Sequence, residues 1–234
     1  MTQLDAILRE LESRKNPVKA KFHSGYFKTG KGEYGAGDTF LGITVPEQRR
    51  IARAYIDLAI TDVKKMLESK VHEHRFTALE ILVAKYKKST DKEKKKIVNF
   101  YLKNRKYINN WDLVDTSARF ILGDFLLDKD KSVLYTLAKS KSIWDRRIAI
   151  ISTHIFINER QFKDTLTIAE ILLNDTHDLI HKAAGWMLRE VGNKSLETEE
   201  KFLKKYAKKM PRTMLRYAIE KFPPEKISHY LSRA

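Results

Sequence analysis

The segment His74–Tyr86, HRFTALEILVAKY, decides how the chain is read. Its apolar residues Phe76, Leu79, Val83 and Tyr86 recur three or four places apart, the spacing that lines one face of an α-helix. No alternation of period two is sustained here or elsewhere, so half-buried strands are not expected. One further feature marks this helix as a member of a set. A charged residue, Arg75, stands near its start, Ala78 follows three places on, and large apolar residues come after.

The same order returns in Asp115-Thr116-Ser117-Ala118, Arg147-Ile148-Ala149, Lys182-Ala183-Ala184 and Arg216-Tyr217-Ala218. The charged positions are 40, 32, 35 and 34 residues apart. A period of roughly 35–45 residues built from helix pairs is the mark of a HEAT-like array. Small alanines let neighbouring helices approach closely, and a charged slot repeated on one side lines the inner face of a curved stack. Between the repeats, Ser89-Thr90-Asp91, Asn174-Asp175-Thr176 and Gly192-Asn193 supply breaks and caps. Six of the nine glycines lie between Gly25 and Gly42, which reads as one loop. The expectation is an all-α, HEAT-like helical-repeat solenoid with a concave basic face. It forms a single domain over residues 1–234, with the Gly-rich loop 25–42 inside it.

Charge narrows the partner. Among 234 residues, 46 Lys and Arg face 30 Asp and Glu, a formal charge of +16. Such self-repulsion opposes compaction, and a polyanionic partner accounts for it. Nucleic acid is the first candidate and an anionic membrane surface the second. There is no cysteine, which excludes disulfides, thiolate metal sites and cysteine nucleophiles and fits a reducing cytoplasm. The N-terminal MTQLDAILRELESRK lacks the apolar core of a secretory signal. No run approaches the roughly 18 apolar residues of a membrane span. A soluble, cytoplasmic protein without a membrane partner is expected.

Four of the five slots carry Arg75, Arg147, Lys182 and Arg216, and the fifth carries Asp115. A carboxylate on a basic face repels phosphate, so another benefit must offset that loss. Asp115 has two readings. It caps its helix or pairs with Arg119 at i+4, worth a few tenths of a kcal/mol; or it stabilises positive charge developing on a sugar and orients water toward it. Asp112 reads as a helix N-terminal residue favoured by the macrodipole. Trp111, Trp144 and Trp186 each stand three or four residues from a charged slot. They are core residues, or aromatic faces for a nucleotide.

Other motifs are decoys. Gly30–Gly35 matches G-x-G-x-x-G without a preceding strand or a βαβ unit. It reads as a loop that touches a polyanion through Tyr26, Lys28 or Lys31. His177 and His181 lack the glutamate of a zinc motif, and no metal or cofactor is expected. His72-Glu73-His74 reads as a solvated helix start, and Lys92–Lys96 as a solvated face.

Taken in series, WDLVD (111–115), WDRRIAI (144–150), KAAGWMLREVG (182–192) and MPRTMLRYAIEKF (210–222) resemble the AlkD-type DNA alkylation repair proteins, HEAT-like glycosylases of alkylated purines. FLGITVPEQRR (40–50), after the Gly-rich loop, is similar to the family's entry segment. The resemblance spans nearly the whole chain. It implies hydrolysis of the N-glycosidic bond of N3- and N7-alkylated purines in duplex DNA, without insertion of the base into a pocket; a monomer is expected, since a solenoid can read DNA alone. By motif position, Asp115 is then the catalytic carboxylate, and Trp111 and Trp186 contact the lesion's deoxyribose. Arg147 holds the adjacent backbone. The basic slots Lys182, Arg216 and Arg75, with Arg212, Tyr26 and Lys28, are the further candidate DNA contacts. KTGKGEYGAGD (28–38) is longer than the loop of the best-studied type. The alternative is a non-catalytic DNA-binding HEAT-repeat protein with the same basic face. A scaffold for acidic protein partners explains the charge but not the placement of Trp111, Trp186 and Asp115.

Overall fold

The structure is a computed structural model that describes residues 1–232. It is all-α, a helical-repeat fold; among the described residues the sole β feature is one bridge between Thr39 and Val71. The chain forms two compact units, Met1–Ser117 and the part from Ala118 onward.

In the first unit the helices are α1 (Gln3–Ser13), α2 (Pro17–Tyr26), α3 (Val45–Ala54), α4 (Ile60–Leu67), α5 (His72–Lys88), α6 (Asp91–Asn104) and α7 (Trp111–Ala118). Local chemistry starts several of them. Thr2 with Asp5, Thr44 with Glu47, and Thr90 with Glu93 form reciprocal capping boxes at α1, α3 and α6, satisfying amides that the first helical turn leaves unpaired. Asn16 caps α2 through the Lys19 amide, and Pro17 follows where no amide is needed. α5 is the central helix of this unit. Phe76, Ala78, Leu79, Ile81 and Leu82 are buried along it, and α3 and α4 pack against it. Gly42 closes the Gly-rich loop with φ +84°, and any side chain there would meet the Asn16 carbonyl and the Ala20 amide. That position requires glycine on both counts.

In the second unit, one wide π turn (Arg119–Gly123) leads into α8 (Asp124–Leu126). There follow α9 (Ser132–Ala138), α10 (Ile143–Ser152), α11 (His154–Asn158), α12 (Lys163–Ile171), α13 (Asp178–Lys194), α14 (Leu196–Tyr206), α15 (Arg212–Ala218) and α16 (Pro224–Ser232). The run from Trp111 to Leu126 is therefore α7, the π turn and α8 in succession. α13 plays the part of α5: Ala183, Ala184, Gly185, Met187 and Leu188 are buried, and α10, α14 and α15 pack around it. A methyl group on Gly185 would strike the Met214 carbonyl and lie 2.5 Å from Tyr217 Cβ. The small residues thus set the distance between α13 and α15, as the repeat pattern anticipates.

Candidate functional site

α7 begins at Trp111 because two side chains satisfy its first amides. Asn110 Oδ1 accepts from the Trp111 amide at 2.8 Å, and Asp112 Oδ1 accepts from the Leu113 amide at 2.8 Å. One face of the helix is core, with Leu113, Val114, Ser117 and Ala118 buried. Ser117 holds that face through Tyr101 at 3.1 Å, and Thr116 donates to Glu80 at 2.5 Å. Trp111 and Asp115, four residues apart, share the other side and are half-buried. An indole and a carboxylate thereby stand one turn apart on the less buried side of α7.

Trp111 is held by aromatic neighbours. Phe27 stacks on it with ring centroids 5.2 Å apart and planes at 22°, and Tyr26 meets it edge-on at 5.8 Å. Phe27 continues to Phe40 at 5.2 Å, and both rings lie against His72, at 4.8 and 4.7 Å. His72 Nε2 is 2.8 Å from Asp112, and Nδ1 is 3.1 Å from Asp38. Burial opposes a charge on this imidazole, but the Asp112 carboxylate and its hydrogen bond, with the bond to Asp38, outweigh burial and the nearby Arg75. The imidazole is pushed up to about 9. His72 is an imidazolium at neutral pH, flanked by two aromatic faces that favour a cation.

The network ties the Gly-rich loop to α5 and α7. Arg75 donates to Asp38 at 2.5 Å and to the Ser69 carbonyl at 2.8 Å. Despite the cost of burying Asp38, its bond from His72 and the charge of Arg75 hold its carboxyl below the usual range. Glu73, also buried, accepts from the Leu41, Gly42 and Ile43 amides at 3.0, 2.8 and 3.3 Å. Two expectations are corrected here. His72-Glu73-His74 is not a solvated helix start, since the first two are buried and hold the loop. Arg75 does not line an exposed basic face. It is 3% exposed and neutralises Asp38, because the returning loop lays a carboxylate over its slot. Asp112 does more than favour the helix dipole: it is the stronger partner of His72.

In the second unit, Trp186 is half-buried on α13, and its Nε1 donates to Glu190 at 2.9 Å. His154 lies beside the indole with centroids 6.1 Å apart; burial and then Arg119 hold its imidazole below the ordinary range. Lys182 is half-buried and pairs with Asp178 at 2.7 Å. Arg147 is a second correction to the row of exposed basic slots. It is buried and donates to the Leu179 carbonyl at 2.6 Å, while its neighbour Arg146 pairs with Asp175 at 2.5 Å. Arg216 and Arg212 are exposed, and Arg212 donates to the Leu231 carbonyl at 2.6 Å. In the first unit Tyr26 and Lys28 are exposed. His177 caps α13 through the Leu179 amide, and His181 bonds the Asp175 carbonyl. Among the described residues no group of three His, Asp or Glu could hold a metal, and no helix is long and apolar enough to cross a membrane.

A family model described as "DNA alkylation repair enzyme" matches residues 7–222. No curated protein matches the chain. A predicted DNA alkylation repair enzyme from Enterococcus faecalis has a similar structure, with TM-score 0.69 and 16% identity, covering 90% of this chain and 98% of that one. The protein smu.31 from Streptococcus mutans UA159 aligns with TM-score 0.49 and 16% identity, over 100% of this chain and 98% of that one. At 16% identity the first of these structures shows a shared fold and nothing finer.

Proposed function

The chain belongs to the DNA alkylation repair enzyme family, and from that premise we propose that it is a DNA glycosylase. It hydrolyses the N-glycosidic bond of positively charged N3- and N7-alkylated purines in duplex DNA. The observation that carries this reading is the placing of Trp111 and Asp115 one turn apart on the less buried side of α7, within a chain of charge +16.

A purine alkylated at N3 or N7 already carries positive charge. When its C1′–N bond breaks, the bonding electrons neutralise the base, which leaves without a general acid. The charge passes to the sugar as an oxocarbenium ion. The Asp115 carboxylate favours that cation by fixed electrostatics, and the face of Trp111 is attractive to it as well. Water then attacks C1′ and loses one proton, restoring a neutral abasic sugar. Asp115 is the group that orients this water. Trp186 supplies an aromatic face for DNA, and Arg212, Arg216, Lys182 and Lys28 supply cations for phosphate. Arg147, being buried, acts by shaping the backbone around Leu179. The protein acts as a monomer.

The test is release of N7-methylguanine from methylated duplex DNA, detected as free base by mass spectrometry, for the wild type and Asp115→Asn. Release by the wild type is expected, with a loss of about 10²-fold or more in the variant and unchanged affinity for DNA. Equal release by both would remove Asp115 from the chemistry. Binding without release by either would favour a non-catalytic DNA-binding protein.

A further inference from the structure

From Ser13 to Gly32 the chain has six Lys or Arg and no Asp or Glu. α2 lies within this stretch and carries three exposed apolar side chains, Val18 at 82%, Phe22 at 68% and Tyr26 at 55%. Spaced four apart, they form one stripe along the helix. The rings of Phe22 and Tyr26 are parallel to within 14°, with centroids 6.0 Å apart. Tyr26 in turn meets Trp111 edge-on, so a run of rings leads from the solvent side of α2 to the Trp111 indole. Lys21, Lys28 and Lys31 are exposed beside it and make no salt bridge among the described residues.

A single exposed phenylalanine needs no explanation. A stacked pair of exposed rings with exposed lysines at 21 and 28 is different, because it offers an aromatic face with cations near it in the chain. That combination is what a nucleobase stacks on. An anionic membrane would satisfy the cations but makes no use of stacked rings, and the stripe is one side chain wide. We infer that α2 is a stacking platform for an unpaired nucleotide, whose base lies on the Phe22–Tyr26 surface while Lys21 and Lys28 meet the flanking phosphates. This inference rests on the DNA-binding part of the reading above and adds a preference for locally unpaired DNA.

The test is fluorescence anisotropy with two labelled duplexes of equal length, one fully paired and one carrying a single extrahelical adenosine. Wild-type protein is expected to bind the bulged duplex about tenfold more tightly. Phe22→Ala loses that preference and keeps its affinity for the paired duplex; Phe22→Trp keeps both, and Phe22→Leu behaves as the alanine variant. Circular dichroism confirms that each variant folds, as the exposure of Phe22 predicts. A preference unchanged in Phe22→Ala overturns the inference while leaving DNA binding intact. A wild type that binds neither duplex overturns both. Vesicles containing phosphatidylserine that bind the wild type but not Phe22→Ala, with duplex affinities unaffected, assign the stripe to a lipid surface and also overturn it.

Discussion

Replacing Asp112 by Asn tests whether the buried cation of the first unit is held as described. The amide is isosteric, and its oxygen still accepts from the Leu113 amide, so α7 keeps its start. What changes is the partner 2.8 Å from His72 Nε2. In the wild type His72 is 2% exposed and raised from 6.5 to about 9. At 1.36 kcal/mol per pKa unit this corresponds to about 3 kcal/mol of folding stability. Because the folded pKa lies above the unfolded one, that contribution is complete below pH 6.5 and is lost as pH rises to about 9. Asp38 remains on the other ring nitrogen and Arg75 still opposes, so the variant keeps part of the rise. Urea unfolding from about pH 6 to about pH 9.5 is the assay. The variant should be less stable by about 1–2 kcal/mol at the acid end, and the two curves should meet above about pH 9. Other groups titrate in both proteins and cancel in the difference. Parallel curves, or a His72 imidazole resonance in wild type, assigned by its loss in a His72 variant, that titrates near 6.5, would refute the charged His72.

Glu199 offers the opposite sign. Its burial, with Glu200 adding and Arg189 opposing, pushes the carboxyl up to about 8. The folded chain therefore keeps a proton that the unfolded chain loses above about pH 4.5, and stability falls as pH rises toward 8. Glu199→Gln should raise the melting temperature at neutral pH, by up to about 3 kcal/mol in stability, with no gain below about pH 4.5; an equal gain at all pH values contradicts this. Arg75→Ala strips the buried Asp38 of its guanidinium and should cost about 3–5 kcal/mol of stability. Its affinity for DNA, measured where it is still folded, should barely change; a large loss would place Arg75 at the interface after all. Gly185→Ala forces α13 and α15 apart and should cost about 1–3 kcal/mol, read from thermal unfolding by circular dichroism; an unchanged melting temperature would show that the contact is loose.

What the sequence determined by itself is whatever rests on near neighbours. Helical period follows from 3.6 residues per turn, so Trp111 and Asp115 had to share a side once α7 formed. Capping boxes act over three residues, and the small residues at 183–185 announce a close crossing without naming its partner. The environment of a charge is another matter. Arg75, Lys182 and Arg216 occupy equivalent places in the pattern, yet Arg75 is buried against Asp38, 37 residues away, while Arg216 faces water. His72 draws its partners from 34 and 40 residues away. No local rule selects those partners, because they depend on where the Gly-rich loop returns over α5. Only the tertiary structure excludes water there, and with water gone a charge must be met by the carboxylate that the fold brings to it.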